Sequence, residues 1–272
     1  MLKKALVAIA VVVVLSSLNG CGKKETQEEA VSENSKAPIV PGEMVLIPAG
    51  EFIMGTNSKD PLDSYATPQH KVNLPAFWID KYEVTNSQYM EFTSKTGYFG
   101  EGEKEGKDWR DYFAPDKVRV PVVSITWKDA DAYCKWAGKR LPTEEEWAKA
   151  ARGPDGNAYP WGNEWVDGRS NTAEVGIKDP SDIGQFDDVS YYGVYDMLGN
   201  VQEWTASWFA PYKGNTLKFP AGYRAVRGLS ARYPGKKGHL WNRSGFPSNS
   251  TWDTGFRCVK DATPEEAAKA AK

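Results

Sequence analysis

PVVSITWKDADAYCKWAGKRLPTEEEWAKAARG, residues Pro121–Gly153, contains a strand-length apolar run followed by two helices whose ends are written into the sequence. VVSI at 122–125 is short and bounded by turn residues, the pattern of a strand. Thr126 then precedes WKDADAYCKWAGK, where Ala130, Tyr133, Cys134 and Trp136 fall on helical spacing and Gly138 stands where a left-handed C-cap belongs. Thr143-Glu144-Glu145-Glu146 is a capping box with acids in the first turn that suit the helix dipole, and Gly153 lies near the stop. On the N-terminal side, Thr85–Gln88 repeats the capping-box form, and Tyr89 and Phe92 share one face, so the spacing predicts a helix over roughly 86–95. The remaining apolar runs are strand-length: VLI at 45–47, FWI at 77–79, AVRG at 225–228 and GFRCV at 255–259. With 25 Gly, 17 Pro and 11 Trp in 272 residues, the expectation is an α+β fold with short strands, about three helices and much irregular loop.

The ends of the chain carry a different message. Lys3 and Lys4 precede an apolar run from Ala5 to Leu15 and a small-residue stretch ending at Cys21, the layout of a secretory signal. Leu18-Asn19-Gly20-Cys21 also resembles the lipobox of bacterial lipoproteins, in which the Cys thiol takes a lipid. The expected organisation is a lipoprotein signal peptide at 1–21, a polar disordered tether at 22–43, one folded domain at 44–260 and a charged tail at 261–272. The expected location is the bacterial cell envelope, lipid-anchored at Cys21 and extracytoplasmic, and Gly22 after it is compatible with the outer membrane. The formal net charge of −2 becomes about −4 without the signal, which is not the balance of a nucleic-acid binder.

Seven ordered motifs then agree: MVLIPAGEFIMG, HKVNLPAFWIDKYEVTNSQYMEF, the stretch quoted above, YPWGN, YGVYDMLGNVQEWT, RAVRGLS and GFRC. Together, from about Met44 to Val259, they resemble the formylglycine-generating enzyme (sulfatase-modifying factor) family. The resemblance implies a C-type-lectin-like α+β fold. It also implies, in active members, two cysteines shortly after an RGGS-like turn that bind copper and oxidise a substrate cysteine with dioxygen. Here the turn is Arg227-Gly228-Leu229-Ser230, and the cysteine positions fall at Tyr233 and Gly238. Thiolates hold Cu(I); a phenol and a hydrogen do not, so no copper is expected. The resemblance further implies a structural disulfide between Cys134 and Cys258, in competition with a catalytic role for that pair. It implies a structural calcium site from Asp196, Asn200, Val201 and Glu203, and a second starting at Asn171 and Thr172, where Glu174, Asp179 and Asp182 compete as the downstream acid. The plainer reading of the first turn is that Asn200 and Glu203 hydrogen-bond it while Trp204 and Trp208 fill the core. His70 matches a structural histidine of the family's first hairpin.

On that resemblance RGLSARYPGKKGH, Arg227–His239, looks like a former catalytic loop, basic and aromatic, available for binding. Its GKK is not a phosphate cradle, since Ser230 and Lys237 stand where Gly and Ser or Thr belong. Two histidines, His70 and His239, are too few for a mononuclear metal site. Asp187-Asp188 and Asp60 with Asp63 are candidate carboxylate pairs, with turn residues as the simpler account. Among the tryptophans outside the motifs, Trp109, Trp165, Trp241 and Trp252 could present flat faces to a glycan or a protein. Tyr233, Trp241 and Arg243, beside Asn242, form the candidate ligand groove. The expected function is an exported, membrane-tethered binding or accessory protein, a pseudoenzyme that holds a protein, peptide or glycan. The alternatives are an enzyme of other chemistry on the same scaffold, an oxidoreductase or a hydrolase, and a structural subunit of an envelope complex.

Overall fold

A computed structural model describes residues 38–104, 106, 108–249 and 253–270. The signal segment, Cys21, most of the tether and Trp252 lie outside the described residues. The chain from Met44 onward runs β1 (Met44–Ile47), β2 (Gly50–Met54), β3 (His70–Leu74), β4 (Phe77–Asp80), α1 (Asn86–Thr96), α2 (Glu101–Lys104), α3 (Trp127–Trp136) and α4 (Glu144–Arg152). After a long irregular stretch come β5 (Gln202–Trp208), β6 (Tyr223–Arg227), β7 (Arg243–Pro247), β8 (Thr254–Gly255), β9 (Val259–Asp261) and α5 (Pro264–Ala270). The strands make an antiparallel sheet β1-β4-β9, a hairpin β2-β3, and a four-stranded sheet β7-β6-β5-β8 in which only the β5-β8 contact is parallel.

The three expected helices form where their caps are. Thr85, Thr126 and Thr143 each close a capping box, and Gly97, Gly138 and Gly153 each adopt positive φ at the far end. The short α2 and the exposed α5 add to that set. In α3 the buried face is Ala130, Tyr133 and Cys134, while Trp136 is 38% exposed and leans on Phe92 and Tyr133. The helical period places Ala137, one residue on, against the core instead.

Two strand expectations change. VVSI is extended and buried but makes no ladder: Ser124 sits at φ 60°, which breaks the run, and Val122 donates singly to the Val84 carbonyl. GFRCV divides into β8 and β9, because Phe256–Cys258 crosses from one sheet to the other. Along that crossing the Phe256 and Cys258 carbonyls accept from Val84 and Asp80.

The core has two main parts. One gathers Tyr89, Phe92, Trp109, Tyr133, Trp204 and Phe256 between α1, α3 and the four-stranded sheet. The other packs Trp147, Ala150 and Ala151 of α4 against Ile47, Phe77, Met197 and Leu198. Trp109 is thus core, not a surface face.

Buried cations hold the loops between these parts. Lys149 donates to the Pro48 and Gly50 carbonyls at 2.6 and 2.9 Å, and Arg152 donates to those of Gly55, Gly156 and Asn157. Arg227 reaches the Leu240 and Trp241 carbonyls. Apart from Gly50 at the start of β2, the acceptors are backbone oxygens outside the helices and strands.

Cys134 of α3 and Cys258 are joined in a disulfide across 124 residues, with Cα atoms 5.7 Å apart. Closing so long a loop removes entropy from the unfolded chain, so reduction should cost roughly 3–5 kcal/mol. The expected result is a lower denaturation midpoint for the Cys134→Ser, Cys258→Ser double variant than for the oxidised protein. Equal midpoints would contradict it.

Candidate functional site

The segment after β6 builds the candidate groove. Gly228 turns at φ 75°, which leads Leu229 and Ser230 past α4 and into the loop that ends at His239. A short 3-10 turn, Gly235–Lys237, closes that loop, and Glu174 accepts the Gly235 and Lys236 amides at 2.9 and 3.0 Å. Tyr233, Gly238 and Arg243 line one shallow cavity of about 280 Å³, together with Leu62, Leu229, Pro234, Lys237, Asn242 and Ser244. The structure therefore brings together both expected cysteine positions and one of the other two groove residues.

At Gly238 a Cβ would lie 2.2 Å from Leu229 Cδ1. Leu229 thus fills the space that a side chain at 238 would need. The residues present do not fit copper: Tyr233 is 46% exposed with a phenol to offer, Gly238 has no donor, and the aliphatic Leu229 lies against Gly238. Leu62, Leu229, Pro234, Lys237 and Ser244 are lining residues that sequence reasoning did not place in the groove. The departure of Leu229 from the glycine of the turn was the available signal.

Arg243 and Trp241 are tied down. The Arg243 guanidinium meets Glu144 at 2.7 and 2.5 Å, and it donates to the Tyr65 and Ala210 carbonyls. Its charge is neutralised within the wall. Trp241 does not line the cavity: its ring stacks on His239 at 4.2 Å and its indole N–H donates to Asp63. Burial lowers the His239 pKa, which keeps the ring neutral between Trp241 and Tyr159. Trp165 packs beside Tyr159 and Trp161 in the same aromatic group.

The carboxylate pairs do not converge. Asp60 caps the 3-10 turn Pro61–Ala66 by accepting from Leu62, and Asp63 accepts from Trp241 and Asn242. Asp187 is exposed, whereas Asp188 is buried and bonded to the Ser170 hydroxyl at 2.6 Å and the Leu198 amide.

The expected calcium ligands make a protein-bonded network. Both Glu203 oxygens face Arg257 at 2.7 and 2.8 Å, and one also accepts the Trp147 indole N–H. Asn200, at φ 66°, accepts from the Ser181 amide and from Asn171, and donates to Glu83. Asp196, at φ 59°, accepts from Gly184. Val201 and Thr172 are buried, and the Asn171 carbonyl accepts the Asn200 amide. Glu174 is spent on the Gly235–Lys237 turn, and Asp179 pairs with Arg232. Burial, with Asp196 beside it, holds the Glu83 carboxyl well above the usual range, and burial likewise raises Asp196. Glu203 is thus neutralised by an arginine, whereas Glu83 Oε2, Asn171 Oδ1 and Asp188 Oδ1 are buried oxygens without a hydrogen-bond partner. Among the described residues, no group of three or more His, Cys, Asp and Glu could hold a metal ion.

Comparison with known proteins agrees with this architecture. The family described as the sulfatase-modifying factor enzyme 1-like domain matches residues 28–262. The chain is 34% identical over 272 residues to inactive C-alpha-formylglycine-generating enzyme 2 of Mus musculus, covering 80% of this chain and 86% of that one. It is 31% identical over 289 residues to the formylglycine-generating enzyme of Bos taurus, covering 84% and 77%. Among solved structures, PvdO from Pseudomonas aeruginosa superposes with a TM-score of 0.66 at 25% identity, covering 83% of this chain and all of that one. CarF shares the fold, with a TM-score of 0.61 at 20% identity over 83% of this chain.

If Arg257, not calcium, secures the turn, a chelator should leave the melting temperature unchanged. Glu203→Gln, which strands a buried guanidinium, should cost roughly 3–5 kcal/mol in denaturant titration. A melting temperature that falls with chelator and recovers with calcium would contradict this account.

Proposed function

The chain belongs to the sulfatase-modifying factor enzyme 1-like family, and on that premise we propose that it is an exported, lipid-anchored binding or accessory protein without cysteine-oxidase activity. One observation carries the reading: Leu229 occupies the space of a side chain at Gly238, in a loop where Tyr233 is the other former thiol position. What remains is a groove with an aliphatic and aromatic lining, suited to holding a ligand. The similarity to an inactive member of the family accords with a scaffold kept after its redox chemistry is lost. In this proposal attachment rests on a lipid at Cys21, at the end of the lipobox-like Leu18–Cys21 stretch. The ligand classes that suit such a groove are a protein, a peptide or a glycan of the cell envelope.

Two experiments test this. Purified protein incubated with Cu(I), dioxygen and a cysteine-containing sulfatase peptide should form no formylglycine and consume no oxygen above the peptide-only control; turnover would sink the proposal. Crosslinking of the lipidated protein in its own membranes should yield a partner that is lost in the Leu62→Ser, Tyr233→Ala variant. Those two side chains are exposed, so the change spares the fold, unlike changes at Arg243 or Trp241.

A further inference from the structure

We infer that a second cavity, between the Trp109–Tyr112 turn and the Asp179–Pro180 loop, binds a small zwitterion, a free α-amino acid with an apolar side chain. The cavity has a volume of about 250 Å³ and shares no lining residue with the groove around Leu229. Sites for drug-sized ligands run to roughly 300–1,000 Å³, so this one suits a molecule of amino-acid size.

Its walls are held by the scaffold. Asn86 and Ser87 open α1, where backbone amides have no partner within the helix. They donate instead to the Val120 and Val118 carbonyls at 2.9 and 3.1 Å, and the Asn86 side-chain amide donates to the Lys117 carbonyl at 3.0 Å. Opposite, the Asp179 carbonyl accepts from Asn171 at 3.0 Å, and the Ser181 amide donates to Asn200 at 2.8 Å. The third wall is the 3-10 turn Trp109–Tyr112, capped by Asp108 and anchored by Trp109, which is buried against Tyr89. Three segments far apart in sequence are thus fixed around one space before any ligand arrives.

Charge defines what enters it. Asp111, Lys117 and Asp179 line the cavity, and Asp179 is matched by Arg232 at 3.0 Å. The Asp111 carboxylate and the Lys117 ammonium have no hydrogen-bond or ion-pair partner among the described residues, and they do not pair with each other. One free anion and one free cation therefore face a common space. Between them Pro121 and Val123 are buried, and Tyr112 offers an exposed ring at the rim. An α-amino acid meets all three features: its ammonium at Asp111, its carboxylate at Lys117, and an aliphatic side chain on the prolines and valines. A simple amine leaves Lys117 unmatched, and a simple carboxylate leaves Asp111 unmatched. Both charged side chains are open to solvent, so each contact contributes modestly and the discrimination comes from requiring both.

The test is a ligand-observed NMR titration of the full chain with L-leucine. Binding should saturate, with a dissociation constant of about 1 mM or tighter. Leucinamide, which lacks the carboxylate, and 4-methylpentanoate, which lacks the ammonium, should bind at least about tenfold more weakly. Lys117→Ala should weaken leucine by a similar factor and leave leucinamide unchanged; Asp111→Asn should weaken leucine and leave 4-methylpentanoate unchanged. Both positions are exposed, so melting temperatures should match that of the unmodified protein. The Leu62→Ser, Tyr233→Ala variant, altered only in the groove, should bind leucine normally. No saturable binding of leucine, equal binding of leucinamide and 4-methylpentanoate, or leucine binding that survives both Lys117→Ala and Asp111→Asn would overturn the inference.

Discussion

Buried guanidinium and ammonium groups that bond loop carbonyls are the constraint on which this structure depends. The chain between Arg152 and Gln202 contains no strand or α-helix, and such backbone has no ladder to satisfy its carbonyls. Arg257 does the most. It lies fully buried, grips both Glu203 oxygens, and donates to the carbonyls of Asp80, Lys81 and Tyr195. One side chain thus ties the end of β4, the 195–204 turn and the final crossing strand, and the disulfide at the next residue pins that strand to α3. Arg152 and Arg227 repeat the device, and both come from the motifs by which the chain is recognised. Such groups persist in the interior because each is hydrogen-bonded at two or more points, and removing one partner leaves a charge without solvent.

The groove inherits its shape from this scaffold. Arg227 fixes the carbonyls of Leu240 and Trp241, and so the strand that follows; Arg243 on that strand is locked to Glu144 of α4. With its floor rigid, the groove can change character by substitution alone. Leucine at 229 and glycine at 238 exchange volume within one space, and the result is apolar where a redox centre requires soft anionic donors.

How much of this could be read in the sequence follows from the range of each interaction. The three main helices were legible because capping boxes and C-terminal glycines act over three or four residues. The extended VVSI run was not distinguishable from a strand, because the positive φ of Ser124 is imposed from outside it. Tyr233 and Gly238 were placed in the groove by counting from a turn. Arg243 and Trp241 were read as free to bind ligand, since their partners Glu144 and Asp63 lie 99 and 178 residues away. Glu203 was read as a calcium ligand through the family resemblance of its turn, and nothing local reveals the arginine 54 residues on.

The central claim is that Leu229 has taken the place of a metal-binding thiol. The most direct measurement is Cu(I) affinity, by competition with a chromophoric chelator, in two variants. One carries Tyr233→Cys and Gly238→Cys; the other carries those changes with Leu229→Gly. The account predicts tight Cu(I) binding only when Leu229 is also removed, and a lower melting temperature for the variant that retains it. Equal affinity and equal stability in the two variants would show that Leu229 does not occupy that space, and would contradict the claim.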